Sequence, residues 1–149
     1  MIKIDNIVYA AFCGTGKSYL CNNFPEDYKE IECWDYRNGD FPNNYVKEVI
    51  KMMGKIKILF ISTDPVILRE INKLDIKIHL VYPENELRNE YLDRYIDRDN
   101  SYDFIGTMMK NWNIWINELK EQTYCQHIVL KSGQYLQDVL KMKNKSESR

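Results

Sequence analysis

The segment AAFCGTGKSYL, Ala10 to Leu20, combines a glycine-rich turn with a lysine and a serine. It follows the apolar run Ile4–Tyr9 and leads into a segment compatible with a helix. Residues 11–18 read A-x-x-G-x-G-K-S, which is typical of a phosphate-binding loop between a strand and a helix. Gly14 and Gly16 adopt backbone conformations closed to other residues, so successive N–H groups can turn toward a phosphate. The segment therefore predicts a nucleotide-binding strand–loop–helix unit.

The polar groups of this loop fit the same chemistry. Lys17 supplies a mobile cation for the β- and γ-phosphates, and the Ser18 hydroxyl suits a Mg²⁺ ligand. The following helix is expected to point its positive end at the phosphates. Ala11 replaces the first glycine of the pattern, and we expect its methyl group to be tolerated because it ends the strand. The predicted nucleotide-binding residues are Cys13, Gly14, Thr15, Gly16, Lys17, Ser18 and Tyr19, with Ser18 as the metal ligand.

Length and composition describe one folded domain. The chain has 149 residues, of which 44% are hydrophobic and 29% are charged, and this excludes a disordered protein. The net charge of −1 disfavours a dedicated nucleic-acid surface, although local basic patches remain compatible with it. We expect a protein of the cytoplasm, or of the host cytoplasm if a phage encodes it. No signal-peptide pattern and no apolar run of membrane-spanning length occurs.

The four cysteines indicate no metal site. They show neither a C-x-x-C pair nor the spacing of metal ligands, and reduced thiols are expected. They are Cys13, Cys21, Cys33 and Cys125.

Apolar patterning predicts strands alternating with helices along the whole chain. The predicted strands are Ile4–Tyr9, Tyr28–Trp34, Ile56–Ser62, Ile76–Tyr82 and His127–Lys131. The predicted helices are Lys17–Phe24, Pro42–Met53, a helix capped by Asp64, Glu84–Arg98, Tyr102 to about Glu121, and Tyr135–Met142. Such alternation predicts an α/β fold with a parallel sheet, formed by a single domain over residues 1–142 with a frayed tail at 143–149. The nucleotide should bind at the carboxyl edge of the sheet, beside the first strand.

Helical periodicity also predicts which side chains the helices bury. After Pro42 the expected stripe is Val46, Val49, Ile50 and Met53, and in the next helix it is Ile67, Ile71 and Leu74. In the long helix from Tyr102 it is Ile105, Met108, Met109, Trp112, Ile116 and Leu119.

Two carboxylates are candidates for the acceptor side of a phosphoryl transfer. Glu32 and Asp35 follow the second predicted strand, where a carboxylate can orient or deprotonate an acceptor or hold Mg²⁺ through water. Glu32 is alternatively a surface strand residue and Asp35 a turn residue, and the sequence does not choose between them. Arg37 and Arg69, after the second and third strands, are candidates for binding an anionic acceptor.

Arginines after the fourth strand are candidates for neutralising phosphate charge. Arg94 and Arg98 are four residues apart and share one helix face, and Arg88 lies upstream on a different face as a further candidate for substrate binding. Phosphoryl transfer requires cations near the transferred group, which favours a role for Arg94 or Arg98. The alternative is a solvated charged face, because acidic residues surround both arginines.

Taken together, these segments resemble small P-loop kinases of the nucleotide-kinase group, which includes adenylate and thymidylate kinases. The resemblance rests on AAFCGTGKS, on Asp-Tyr-Arg at 35–37, and on ELRNEYLDRYIDRD at 86–99, which takes the lid position. The run VYPENELRNEYLDRYIDR and the Asn-Trp-x-x-Trp-Ile helix are also similar to kinases from phages and low-GC bacteria. Some of those are related to phage kinases that act on hydroxymethyluracil in DNA.

The resemblance implies a three-layer P-loop fold with the strand order 2-3-1-4-5, a short helical lid at about 84–101, and ATP with Mg²⁺ as cofactors. It further implies that Lys17 and the lid pair Arg94 and Arg98 act in catalysis. Asp35 or Glu32 would orient the acceptor. The chain departs from the family at Ala11, in its short lid, and in lacking an Asp-Gly-Phe-Pro-Arg motif after the third strand.

Three functions follow from this interpretation. The first is an ATP-dependent phosphotransferase acting on a nucleotide or nucleoside. The second is the same chemistry on a hydroxylated base, such as hydroxymethyluracil, or on a hydroxyl end in DNA. The third is a non-catalytic regulator that binds ATP, which the departures from the family pattern favour.

Overall fold

A computed structural model describes residues 7–140 and forms one five-stranded sheet in which every strand pairing is parallel. The strands are β1 (Val8–Ala11), β2 (Tyr28–Glu30), β3 (Ile58–Ile61), β4 (Ile78–Pro83) and β5 (Gln126–Leu130). Their order across the sheet is β2-β3-β1-β4-β5. This confirms both the parallel α/β prediction and the strand order that the resemblance implied.

Helices cover both faces of the sheet. They are α1 (Lys17–Asn23), α2 (Asn43–Met53), α3 (Pro65–Lys73), α4 (Arg88–Asp97) and α5 (Tyr102–Lys120), and residues 136–140 are also helical. Short 3-10 helices occupy Cys33–Tyr36 and Asn85–Leu87.

Successive side chains of a strand point to opposite faces of the sheet, so the core consists of two clusters. On one face, Val8 and Ala10 of β1 belong to a cluster that includes buried residues of α2, α3, α4 and α5. On the other face, Tyr9 and Ala11 pack with Leu20 of α1 and with residues of the 136–140 helix. Both faces of the central strands are therefore removed from water, as is usual for a parallel sheet, and a three-layer architecture results.

The predicted phosphate-binding loop follows β1, the central strand of the sheet. β1 lies between β3 and β4, with Ala10 paired to Ile61 and Ala11 to Val81. The loop that follows Ala11 therefore emerges at the centre of the carboxyl edge, between the segments that follow β2 and β3 on one side and β4 and β5 on the other.

The second strand is shorter than predicted, and the extension to Trp34 is wrong. The hydroxyl of Tyr45 in α2 donates to the Ile31 carbonyl at 2.6 Å and accepts from the Ser62 N–H at 2.9 Å. The hydroxyl therefore binds a carbonyl just beyond β2 and an N–H just beyond β3, which would be used in strand pairing if β2 and β3 were longer. The chain turns instead into the 3-10 helix Cys33–Tyr36.

Two helical stripes are also displaced from their predicted positions. In α2 the buried residues are Tyr45 and Val49, and Ile50 is 51% exposed, so the buried face begins one residue earlier than predicted. In α3 Ile67 and Ile71 are buried as predicted, but Leu74 lies beyond the end of the helix and is 47% exposed. In the long helix the prediction is confirmed at the buried residues Met108, Trp112, Ile116 and Leu119, whereas Ile105 and Met109 are only partly buried against the same core.

Some predictions fall outside the described residues. These are the start of the first strand at Ile4, the last two residues of the predicted helix ending at Met142, and the tail 143–149. Over residues 7–140, the helices are too short or too polar for any of them to cross a bilayer.

Candidate functional site

A cavity of about 580 Å³ opens at the carboxyl edge of the sheet, around the end of β1. Its wall is built from the phosphate-binding loop, the residues that follow β2 and β3, the end of α4, the start of α5 and the segment after β5. One cavity thus contacts elements from both halves of the sheet. This is the crevice in which ligands of open parallel sheets usually bind.

The glycines of the loop adopt the conformations that the sequence pattern requires. Gly14 has a φ of 86° and Gly16 a φ of 104°, both in the left-handed region that other residues rarely adopt. A Cβ at Gly14 would also lie 2.9 Å from a ring carbon of Tyr95 in α4. The loop is therefore shaped by its own backbone and by the helix packed against it.

Lys17 directs its amine toward the cavity. Its Nζ donates to the carbonyl of Ala11 at 3.0 Å and forms an ion pair with Glu30 at 3.0 Å, and its side chain is 16% exposed. Because Ala11 ends β1 and Glu30 ends β2, the lysine lies across the carboxyl edge of the sheet. An anionic ligand that replaced Glu30 would meet a cation that is already positioned.

The other loop residues divide into two groups. Cys13, Ser18 and Tyr19 line the cavity, together with Gly14, Gly16 and Lys17. Thr15 is fully buried, and its hydroxyl donates to the Phe12 carbonyl at 2.8 Å, so its side chain stabilises the loop and faces away from any ligand. The helix α1 that follows the loop has seven residues.

Glu30 is the acidic residue nearest to the loop lysine, and the sequence reasoning did not single it out. Extending the second strand to Trp34 moved the predicted end of that strand past Glu30, toward Glu32 and Asp35. The Tyr45 hydroxyl that ends the ladder comes from a helix far along the chain. A strand that ends at Glu30 would have put this carboxylate at the sheet edge.

The two predicted acceptor-side acids occupy different places. Glu32 lines the cavity and accepts a hydrogen bond from the indole N–H of Trp34. Asp35 lies in the 3-10 helix, is exposed, and is not part of the cavity wall. The arrangement therefore brings Glu32, with Glu30, to the cavity and leaves Asp35 outside it.

Three of the predicted arginines also lie outside the cavity wall. Arg37 is exposed and pairs with Asp64, whose carboxylate caps α3 by accepting from the Val66 N–H at 2.9 Å. Arg69 is exposed in the middle of α3. Arg88 is exposed and donates to the Met109 carbonyl of α5 at 3.1 Å.

Arg94 is buried, and its guanidinium connects three segments of the chain in an arrangement that we call the clamp. Its side chain is 8% exposed, and its guanidinium carbon lies 4.3 Å from the ring centre of Tyr91 and 3.8 Å from that of Tyr135. One terminal nitrogen donates to the Gly14 carbonyl at 2.8 Å, and the other to the Gln134 carbonyl at 3.0 Å. The guanidinium therefore ties α4 to the phosphate-binding loop and to the segment after β5.

Glu90 completes this clamp one helical turn before Arg94. It accepts from the Ser132 hydroxyl at 2.6 Å and from the Gly133 N–H at 3.0 Å, and it lies 3.3 Å from Arg94. These donors favour the charged carboxylate, with the Gly133 N–H contributing most, and they lower the pKa of Glu90. Tyr95 adds a hydrogen bond from its hydroxyl to the Cys13 carbonyl at 2.9 Å.

Arg98, one turn further along the same helix, lines the cavity and is exposed. Its guanidinium carbon lies 5.9 Å from the Tyr95 ring. The two arginines of the predicted lid thus differ: Arg94 is bound to protein groups, and Arg98 faces solvent at the cavity.

The donor set of the cavity wall suits a phosphorylated ligand with a hard cation. Hydroxyls of Ser18, Ser62 and Thr63 and carboxylates of Glu30 and Glu32 line it, and Mg²⁺ prefers such oxygen ligands. The residues present are therefore compatible with Mg²⁺ carried by a nucleotide. A scan of the sequence against models of known protein families found no match, and a search of curated proteins found none either.

Proposed function

We propose that this chain is an ATP-dependent kinase that transfers the γ-phosphoryl group to a nucleotide or nucleoside. One observation carries the proposal: a single cavity brings together a glycine-rich loop with its lysine, acidic residues at the end of β2, and Arg98, the exposed residue that directly follows α4. Phosphoryl transfer depends on positioning and on charge stabilisation more than on covalent chemistry. The lysine, the acidic residues and the arginine of this cavity are groups of the kind that phosphoryl transfer requires.

In this proposal the loop amides and Lys17 bind the β- and γ-phosphates. Lys17 exchanges its ion pair with Glu30 for phosphate oxygens. Mg²⁺ bound with ATP would neutralise phosphate charge, and Ser18 is the side chain of the loop suited to hold it. Arg98 is free to approach the transferred group, whereas Arg94 holds the loop in place.

The γ-phosphoryl transfer exchanges one phosphorus–oxygen bond for another. A bond forms between the acceptor oxygen and the γ-phosphorus, the bond from that phosphorus to the bridging oxygen breaks, and ADP leaves. When the acceptor is a hydroxyl, its proton passes to a carboxylate or to water, and the cavity wall contains the carboxylates of Glu30, Glu32 and Asp97. When the acceptor is a nucleoside monophosphate, an anionic oxygen attacks and no proton needs to be removed.

The experiment that tests this proposal measures ADP release from Mg-ATP across a panel of acceptors. The panel holds ribo- and deoxynucleoside monophosphates, nucleosides, and DNA with and without hydroxymethyluracil. Turnover with a mononucleotide or nucleoside that is lost in Lys17→Ala supports the proposal. Turnover with DNA alone would instead support a kinase that acts on a base or hydroxyl end of DNA.

A second candidate function is an ATP-binding regulator that transfers nothing. The observation that favours it is that the Arg94 guanidinium already has protein partners. It donates to two carbonyls, pairs with Glu90 and is covered by two tyrosine rings. Only one arginine of the pair is then available to a phosphate. Tight binding of ATP with no ADP release from any acceptor would support this candidate and exclude the kinase.

A further inference from the structure

Among the aromatic residues of the cavity wall, one is more exposed than the others. Trp34 lies in the 3-10 helix directly after β2, lines the cavity, and is 71% exposed. Its indole N–H is directed to Glu32, and among the described residues no aromatic ring packs against its face. By contrast, Trp112 is fully buried and its indole donates to the Asn85 carbonyl at 2.9 Å.

The position of Trp34 relative to Lys17 indicates which end of the cavity it belongs to. The lysine amine reaches toward β2, where it pairs with Glu30, four residues before Trp34. The terminal phosphate of a nucleotide bound in the loop is therefore expected on the β2 side. Trp34 then lies at the end of the cavity where the acceptor must approach.

The opposite end of the cavity carries a different aromatic residue. Tyr135 follows β5 and lies against the loop, because a Cβ at Gly16 would be 3.3 Å from its ring. With β2 and β5 at the two edges of the sheet, Trp34 follows the strand at one edge and Tyr135 the strand at the other. A cavity of about 580 Å³ falls in the range of sites that hold small organic ligands.

We infer that Trp34 is the stacking platform for the acceptor's nucleobase, which makes the acceptor an aromatic nucleotide compound and not a sugar or a small alcohol. The inference rests on the proposed function and names its substrate class. Glu32 holds the indole by its N–H, so the ring presents a face at low entropic cost, and every nucleobase has a π-face that can stack on it. Arg98 provides a cation in the same cavity for a phosphate of the acceptor.

Tryptophan fluorescence provides the test. Each common nucleoside monophosphate is titrated into the ADP-saturated protein, so that ADP fills the loop and quenching reports the acceptor end. Ribose 5-phosphate serves as the probe without a base, and a duplex carrying hydroxymethyluracil distinguishes a base in DNA from a free nucleotide. We expect at least one base-containing probe to quench the emission and ribose 5-phosphate to leave it unchanged.

Variants assign the signal to Trp34. Trp34→Ala should weaken binding of the base-containing probe by about 5- to 150-fold, as for loss of one stacked base, with the affinity for ADP unchanged. Trp34→Phe should retain binding, measured by calorimetry, to within about 5-fold while it loses the quenching. Tyr102→Ala is the matched control, because Tyr102 is 94% exposed at the start of α5 and is not part of the cavity wall.

Two results would overturn the inference. One is equal binding of ribose 5-phosphate and the nucleotides, and the other is a change below about 2-fold in Trp34→Ala. The proposed function can fail separately. Base binding that depends on Trp34 without any phosphorylated product would refute the kinase and retain the platform. Turnover with an unchanged KM in Trp34→Ala would retain the kinase and refute the platform.

Discussion

Replacing Arg94 should affect stability far more than replacing Arg98, although the two arginines are only four residues apart, in the last turn of α4 and directly after it. Arg94 is 8% exposed and donates to Gly14 and Gln134, whereas Arg98 is exposed. Arg94→Ala would leave the buried Gly14 carbonyl and the partly buried Gln134 carbonyl without their donor, and it would remove the cation beside Glu90. Arg98→Ala removes only a solvated side chain at the cavity edge.

The contacts of Arg94 set the size of the effect. Leaving a buried polar group without its hydrogen-bond partner costs about 1–3 kcal/mol, and the guanidinium serves two carbonyls, a buried one of Gly14 and a partly buried one of Gln134. Glu90 also accepts from Ser132 and Gly133, so it keeps part of its compensation, and we expect a loss near 3 kcal/mol. Arg98→Ala should change the free energy of unfolding by less than about 0.5 kcal/mol.

Urea denaturation of the two variants and the wild type measures this difference at a single pH and salt concentration. For a chain of 149 residues, the expected loss in Arg94→Ala corresponds to a melting temperature lowered by about 6–12 °C. Arg94→Lys should recover little of the loss, because an ammonium cannot donate in a planar fork to two carbonyls or stack between two rings. Equal stability of the Arg94 and Arg98 variants would refute the clamp.

The remaining predictions concern the loop, the clamp and a helix interior. Gly14→Ala should lower the free energy of unfolding by about 1–3 kcal/mol, because a left-handed φ and contact with Tyr95 both oppose a side chain. Gly106→Ala should raise it by about 0.5–1 kcal/mol in the same urea titrations, because Gly106 lies inside α5 with open space around it. The pKa of Glu90 is lowered on folding, so its charge stabilises the protein above its ordinary pKa, and this contribution disappears as the pH falls through the folded value. Glu90→Gln should therefore lower the free energy of unfolding by about 1–3 kcal/mol at pH 7. Melting measured as a function of pH should show that this difference from the wild type narrows below about pH 4. A difference independent of pH would contradict the stabilising role of the Glu90 charge.

The features that the sequence predicted well are local or strongly periodic. The turn from Gly14 to Ser18 is dictated by residue types at adjacent positions, so its conformation follows from a few residues. The buried face of α5 repeats over five turns, and its prediction is confirmed at Met108, Trp112, Ile116 and Leu119. The strand order came from the resemblance and not from the residue patterns.

The features that the sequence did not predict depend on side chains distant along the chain. Tyr45 ends the pairing of β2 with β3, and nothing near Glu30 indicates that a hydroxyl from α2 will do so. Arg94 was predicted as one arginine of the lid pair, and nothing in the sequence indicated that Tyr135 covers its guanidinium from a segment that follows β5. A charge pattern on one helix contains no information about the ring that packs over it.

The most direct measurement follows the γ-phosphate itself, using ATP labelled at that position with the acceptor that gives the fastest ADP release. We expect the label to appear in the acceptor with one ADP formed per labelled product. Lys17→Ala should lower the rate by about 100- to 1,000-fold, the usual loss for one group that stabilises transition-state charge. Label that stays in ATP, or appears only as inorganic phosphate, while the protein binds ATP would contradict the transfer of phosphate to an acceptor.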